Sequence, residues 1–540
     1  MADQKKPIVF TRRSSGLVRS VSAFSAFALV MCHTVGGGIN KLLIYAEFNN
    51  PGANVSLAFL ITGILALITA YVYSELSALM PRTGGDYIFT SRAISPVLGF
   101  LASWGFWFTE VLSFGIIAFY DIPIWGLSLQ IAGSATHSVA WQKAGTAISG
   151  LGWTTGLGIL LVIIFSVVAL FGMRRYTKII NTLLILPLIG SVIMIIVLLR
   201  NPSVAHPSWD AVYGSGMWNM VEKLSATATD HWRPTPFNMH ATLMAGVGGI
   251  WAYIGVTAAA YAGGEVKNPE RSMAIAMLGG AAVIVAYYVI LAIEVYHVYA
   301  TPNGSFISMY DNVYKHPDLW KQLTAVYPYA PPPYLPTFAA GVMPGQGFWQ
   351  FIVAISAAIW LMNDIPVFFV VCSRQVFSWS FDRMFPEVFA RVNERWHTPH
   401  NAIWLTLIGG IVGVFLSFVA EKGIAGSWVA AMDTTMLYEF AVVFGSLSAA
   451  VIPFVRPDIY ERGRKLAWGG VPVITIFGII SFIVNFWYLF IAGAWLHVTT
   501  DLLLQVLWMG AGLAIFVGYY IYNTRRGVDV RSIYQQIPPA

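Results

Sequence analysis

The chain has 540 residues, of which 57% are apolar and only 10% charged, against about 25% charged in a soluble domain; water cannot be its main solvent. The formal charge of +6 does not mark a nucleic-acid binder, because the basic residues cluster in short polar segments between apolar runs. Cys32 and Cys372, the only cysteines, both fall inside apolar runs, which argues against a disulfide scaffold or a thiolate metal site.

In chain order, residues 1–19 form a basic tail without a small-residue cleavage site, so the first apolar run is expected to remain in the mature protein. Apolar blocks long enough to cross a ~30 Å hydrocarbon layer then predict spans at 20–46, 54–80, 95–133, 155–173, 177–199, 240–263, 273–299, 347–373, 400–420, 428–455, 469–492 and 499–523. The third is read as a span of 97–120 with a trailing amphipathic part. The fold class is therefore an all-α polytopic membrane protein of about twelve transmembrane helices. With the N-terminus inside, 23 of the 31 Lys and Arg residues fall on the cytoplasmic side, including Arg374 after span 8, and this places both termini in the cytoplasm. Two long external loops remain, 200–239 and 301–346. The stretch Tyr327 to Pro336 in the second is proline-rich and favours extended backbone; the loops either shield an external vestibule or are surface insertions. No Gly-x-x-x-x-Gly-Lys-Ser/Thr and no HExxH pattern occurs, so a gradient or an exchange must drive any solute movement.

Gly36, Gly37 and Gly38 in span 1, and Gly246, Gly248, Gly249 and Gly255 in span 6, stand where a lipid-facing helix would carry Leu or Val. Each costs a helix interior about 0.8–1 kcal/mol relative to Ala, and the triplet predicts an unwound stretch. Unwound backbone at membrane depth must be buried in protein or line a wet cavity; close helix packing is the alternative, and the better reading for Gly246 to Gly249. Spans 1 and 6 open two groups of five spans that run in opposite senses. Paired interruptions of that kind mark an inverted-repeat transporter, whose freed N–H groups receive a carboxylate and freed C=O groups an ammonium. A zwitterionic amino acid fits both.

These residues resemble the amino acid-polyamine-organocation permeases over essentially the whole membrane region. The resemblance is carried by Val35-Gly36-Gly37-Gly38-Ile39; by Ser74-Glu75-Leu76 and the run Pro81 to Tyr87; by Trp251 to Val256 with the exit Gly264 to Arg271; and by Ser373-Arg374, Asp382-Arg383 and Thr398-Pro399. It implies a five-plus-five inverted repeat, with residues 20–199 and 240–455 as the repeats and 468–524 as two peripheral helices before the tail 525–540. It further implies alternating access driven by proton or sodium symport or by exchange. Carried over by position, Gly36, Gly37 and Gly38, flanked by Thr34 and Ile39, offer N–H groups to the substrate carboxylate. Trp251 takes the place of an aromatic gate, and Ala252, Tyr253, Ile254 and Gly255 offer backbone to the ammonium and side chain. Two departures follow: Thr257 stands where antiporters of basic amino acids carry a glutamate, and Pro187 where some members carry a lysine in span 5.

Glu110 and Asp121 in span 3 are eleven residues apart, within about 20° of one helix face, with Glu110 expected nearer the cytoplasmic half and Asp121 nearer outer water. Glu110, Asp121 and His33 are the candidates for proton or cation coupling, each against the alternative of a packed, hydrogen-bonded side chain. Asp364, Glu294, Asp433 and Glu439 also fall within or near apolar runs; an interhelical hydrogen bond or an interfacial position is the alternative for each, and the better reading for Glu294, Asp433 and Glu439. The expected partners are an amino acid substrate, the lipid bilayer and a coupling proton, sodium or counter-substrate, with no cofactor, metal or nucleic acid. An amino acid sensor that binds without turnover is the competing function. A membrane enzyme lacks a clustered acid, base or metal set.

Overall fold

The protein is described by a computed structural model that covers residues 14–228, 232–302, 304–423, 434–495 and 499–539. Among the described residues, twelve helical segments are long and apolar enough to cross a membrane: Ala23–Asn49 (span 1), Val55–Leu79 (2), Pro96–Thr136 (3), Leu151–Ala169 (4), Met173–Leu198 (5), Met239–Tyr261 (6), Pro269–Val298 (7), Gly347–Phe381 (8), His400–Glu421 (9), Thr435–Val455 (10), Val473–Ile491 (11) and Leu503–Arg525 (12). The only strands among the described residues form two short hairpins. The start of the expected tenth span, including Asp433, lies outside the described residues.

Burial sorts the spans into a centre and a rim. Within each span's most apolar window, 78% of residues are buried in spans 1, 3 and 6 and 89% in span 8, against 17% in span 12. Spans 1, 3, 6 and 8 therefore form the core. The rim spans turn Leu160, Ile196, Ile408, Phe415 and Val506 outward, a surface that only lipid would solvate without cost. Span 11 packs on spans 10 and 2, and span 12 on span 3. There Trp104 and Trp508 stack with centroids 4.6 Å apart, and the Trp104 indole N–H donates to the Trp508 carbonyl at 3.0 Å.

Three expectations change. Span 3 is one unbroken helix from Pro96 to Thr136, running through Pro123, so the trailing part expected after residue 120 continues the same helix. Span 8 continues eight residues beyond residue 373, because Ser373, Arg374 and Gln375 find partners inside the protein and do not mark an interface. The long loops are folded: helices Ala205–Tyr213 and Met217–Thr227 pack with Phe306–Lys315, Pro317–Val326 and Leu335–Gly341. An aromatic cluster holds them, with Trp218 and Phe306 stacked at 3.6 Å and Trp209 fully buried. The Pro-rich stretch stays non-helical as far as Tyr334, and Pro336 then sits in the first turn of a helix, where its missing N–H costs nothing.

Candidate functional site

The first half of span 1 starts on the Ser22 side chain, which accepts from the Ser25 amide, and ends at Thr34. Val35 is extended (φ −85°, ψ 102°), Gly37 is already helical (φ −60°, ψ −33°), and a wide turn over Gly38–Leu42 leads into Leu43–Asn49. The break is thus confined to Val35 and Gly36, shorter than the glycine triplet predicts. Among the described residues, the Gly36 and Gly37 amides have no acceptor, while the Gly36 carbonyl accepts from the Asn40 side chain at 2.9 Å.

Span 6 changes character at the matching place. Its α-helix ends at Tyr253, and Ile254–Tyr261 tightens to a 3-10 helix. The two breaks touch. A Cβ on Gly38 would lie 2.5 Å from the Ala252 Cα, and one on Gly255 would lie 2.4 Å from the His33 carbonyl carbon. Gly38 and Gly255 are therefore glycine because two backbones cross there. Gly246 and Gly249 serve packing too, against Tyr488 and Thr62.

Span 8 supplies a third interruption. Its helix stops at Met362 and resumes at Ile365; Asn363 and Asp364 lie between, and Pro366 in the new first turn lacks the N–H a continuous helix would use. This brings Asp364 to His33. The His33 Nδ1 lies 2.7 Å from Asp364 Oδ1, and its Nε2 lies 3.1 Å from Glu110 Oε2. All three side chains are buried, and Phe368 meets the imidazole edge-on at 4.7 Å. A ring with a carboxyl oxygen at each nitrogen has two protonation states open to it. Either both nitrogens carry protons, and the imidazolium with two carboxylates sums to one negative charge, or a carboxyl holds a proton and donates back. One further proton on the charged form makes the cluster neutral.

Two cavities meet at Trp251. The deeper one, about 30 Å³, is walled by His33, Gly36, Glu110, Asp364 and their neighbours; it is far below the several hundred Å³ of ordinary ligand pockets. The other, about 370 Å³, lies toward the face carrying the two long loops, and Tyr334 of the second loop forms part of its wall. Trp251, Gly37 and Ile117 border both. The indole is the partition, and a Cβ on Gly37 would come within 3.2 Å of its Cη2.

The remaining expected residues divide. Thr34 and Ile254 border the deep cavity, although the Thr34 carbonyl already accepts from the Tyr288 hydroxyl at 2.7 Å. Ile39 and Ala252 are buried but line neither cavity. Tyr253 turns away and donates to the Phe59 carbonyl at 3.1 Å. Asp121 is not near water: it is fully buried, accepts from the Trp125 indole at 3.0 Å and lines neither cavity, because the helix continues well past it. Glu439 is fully buried away from both cavities with no hydrogen-bond partner among the described residues, and Glu294 is half-buried. Asp364, which sequence reasoning named as a charge within span 8 but did not join to the site, is the partner of His33; a polar pair followed by Pro366 inside an apolar run was its signal.

The face opposite the long loops is shut. Arg374 meets Glu265 with two bonds, Nε at 2.9 Å and Nη2 at 3.1 Å, and Arg92 pairs with Asp382 at 2.7 Å. Asp86 accepts from the hydroxyls of Tyr73 and Tyr261, and Val21 exchanges backbone bonds with Glu265 and Lys267, both 2.9 Å. The segment after span 12 seals this face from outside. In its helix Val530–Gln535, the Tyr534 hydroxyl lies 3.2 Å from that of Tyr87, and the Arg92 guanidinium lies over both rings at 5.1 and 5.6 Å. Arg82 bonds the Pro538 carbonyl. The runs around Pro81 to Tyr87, Gly264 to Arg271 and Ser373-Arg374 are thus the parts of one closure.

Known proteins align over this whole arrangement. The chain is 22% identical to the methylthioribose transporter of Bacillus subtilis over 530 residues, 96% of each chain. It is also 22% identical to the aspartate-proton symporter of Bacillus subtilis, over 97% of this chain and 87% of that one. Identity to the arginine/agmatine antiporter of Chlamydia felis is 21%, over 96% of this chain and 92% of that one. The sequence pattern of one family, described as amino acid permease, matches residues 21–514, and with twelve spans around two touching helix breaks the chain belongs to that family.

Proposed function

We propose that this permease is a secondary active transporter that carries an amino acid across the cell membrane by alternating access, coupled to a proton, with both chain termini in the cytoplasm. Residues 20–199 and 240–455 act as the two inverted repeats, 468–524 as peripheral helices, and the loops 200–239 and 301–346 face outward. The Gly36 and Gly37 amides take the substrate carboxylate and Trp251 closes over it. The observation that carries the proton is the His33 ring held between Glu110 and Asp364 beside the break in span 1. The other titratable groups near Glu110 or Asp364 are Asp86, Cys32, Cys372, Tyr261, Tyr288 and Tyr438, none of them basic. Neutralising the cluster therefore takes a proton from outside or the substrate's own ammonium.

One aligned relative is named a proton symporter and another an antiporter; the buried cluster favours the proton. The closed face opposite the long loops, the basic face that carries Arg82, Arg92 and Arg374, and a cavity on the loop side suit the outward-facing stage of such a cycle. The test is uptake of each labelled amino acid into proteoliposomes, with a proton gradient, a sodium gradient or internal counter-substrate imposed separately. Acceleration by the proton gradient alone is expected. Uptake that responds only to sodium or to counter-substrate would remove the proton, and binding without flux would make the chain a sensor.

A further inference from the structure

Among the described residues, the wall of the 370 Å³ cavity contains a single charged residue, Lys41. It lies four residues beyond Gly37, on the half of span 1 that leads away from the break, and both residues border the cavity. Among the described residues Lys41 makes no hydrogen bond or ion pair. Its ammonium lies over the rings of Tyr120 and Tyr45 at 5.2 and 5.8 Å. The charges around it are Lys315, itself 4.4 Å from the Tyr45 ring, together with Asp311 and Glu421. Glu421 is engaged by the Tyr120 hydroxyl at 3.0 Å, and Asp311 stays outside ion-pair distance of Lys41. The rest of the wall is largely carbon, with Leu42, Ile116, Val247 and Leu361 prominent.

An ammonium at the wall of an apolar chamber, with Asp311 and Glu421 near it but no carboxylate paired to it among the described residues, is costly, and a ligand carboxylate supplies the direct partner. Pockets of this kind hold the apolar body of a ligand by surface and fix its direction by one or two polar groups. We propose that Lys41 anchors the carboxylate of an amino acid with an apolar side chain, docked in this cavity before it passes Trp251. The inference rests on the transport reading above and adds the substrate class to it. The same ammonium repels substrates that carry a positive charge without a carboxylate.

The test is uptake of labelled L-leucine into proteoliposomes, with unlabelled L-leucine or L-leucinamide as competitor; the amide keeps the side chain and the ammonium but lacks the carboxylate. Wild type should take up leucine, and leucinamide should compete at least about tenfold less well, the size of a charge-assisted bond. Lys41→Met should raise the KM for leucine by at least about tenfold and shrink the discrimination between the two competitors by a similar factor, leaving only the share that the Gly36 and Gly37 amides supply, whereas Lys41→Arg should keep most of the discrimination. Equal competition in wild type overturns the proposal, whether or not the variants fold. Unchanged KM and discrimination in Lys41→Met overturns it too. A wild type that carries other amino acids but not leucine, methionine or phenylalanine overturns the apolar substrate class and leaves transport standing. No uptake of any amino acid overturns the transport reading itself.

Discussion

Replacing Glu110 by glutamine tests the proton reading at its centre. The side chain keeps its length, and its carbonyl oxygen can still accept from His33 Nε2 across the 3.1 Å gap; what disappears is one charge and one place for a proton. At an effective dielectric constant of 20, unit charges at that distance attract by roughly 5 kcal/mol. Removing one member of a buried charge pair is observed to cost about 3–5 kcal/mol, which corresponds to at least about a hundredfold in an equilibrium. Glu110→Gln should therefore lose at least about a hundredfold of gradient-driven uptake while exchange of substrate for substrate, which needs no net proton, persists. Asp364→Asn should behave alike, since Asp364 is the closer partner at 2.7 Å. Asp121→Asn should stay within about twofold of wild type, because its one bond comes from Trp125 and an amide oxygen can accept it. The assay is initial uptake into proteoliposomes across a series of external pH values. Retention of both rate and pH dependence by Glu110→Gln and Asp364→Asn would refute the cluster as the coupling site.

Trp251→Ala should raise the KM for substrate by about tenfold or more and Trp251→Phe by about threefold or less, since a flat apolar partition survives only in the second; equal kinetics for Ala and wild type in the uptake assay would put the partition elsewhere. Gly255→Ala and Gly38→Ala should each cost about 1–3 kcal/mol through overpacking of the crossing between spans 1 and 6, seen as a lowered Tm in detergent with or without substrate. Outside the spans, burial pushes the Asp86 carboxyl from 3.8 up to about 6 against the pull of the Tyr261 and Tyr73 hydroxyls. A raised carboxyl favours the closed basic face in its protonated form: that contribution, roughly 3 kcal/mol, is fully present below pH 3.8 and is lost as pH rises through about 6. Maleimide labelling of Thr83→Cys should accordingly increase over that window, and adding Asp86→Asn should flatten the increase.

The twelve spans were legible because a lipid-facing helix must be apolar over its whole length, and the starts and ends differ from expectation by a few residues except at the end of span 8; the expected start of span 10 lies outside the described residues. That span was cut short because Arg374 reads as an interfacial cation until Glu265, 109 positions away, is seen to neutralise it. The break in span 1 was legible from Gly36 to Gly38, but sequence does not say which glycine frees an amide and which merely lets Ala252 approach. His33 and Glu110 were each legible as titratable groups within an apolar run. Their meeting was not, because it depends on the interruption in span 8 that turns Asp364 toward them. Asp121 shares the face of Glu110 in helical projection, yet where a helix face is covered is decided by its neighbours. The loop helices carry mixed amphipathic patterns without a long apolar run, so only their mutual aromatic packing reveals them.

The segment 530–538 is tied to Arg82, Tyr87 and Arg92, three residues of the wall that must swing if the basic face is to open. Any opening that draws these residues away from that segment must also release it. A fluorophore attached near Gln536 would leave its berth once per turnover and return with each closure, so its flicker would count cycles of a single molecule without any probe entering the pathway.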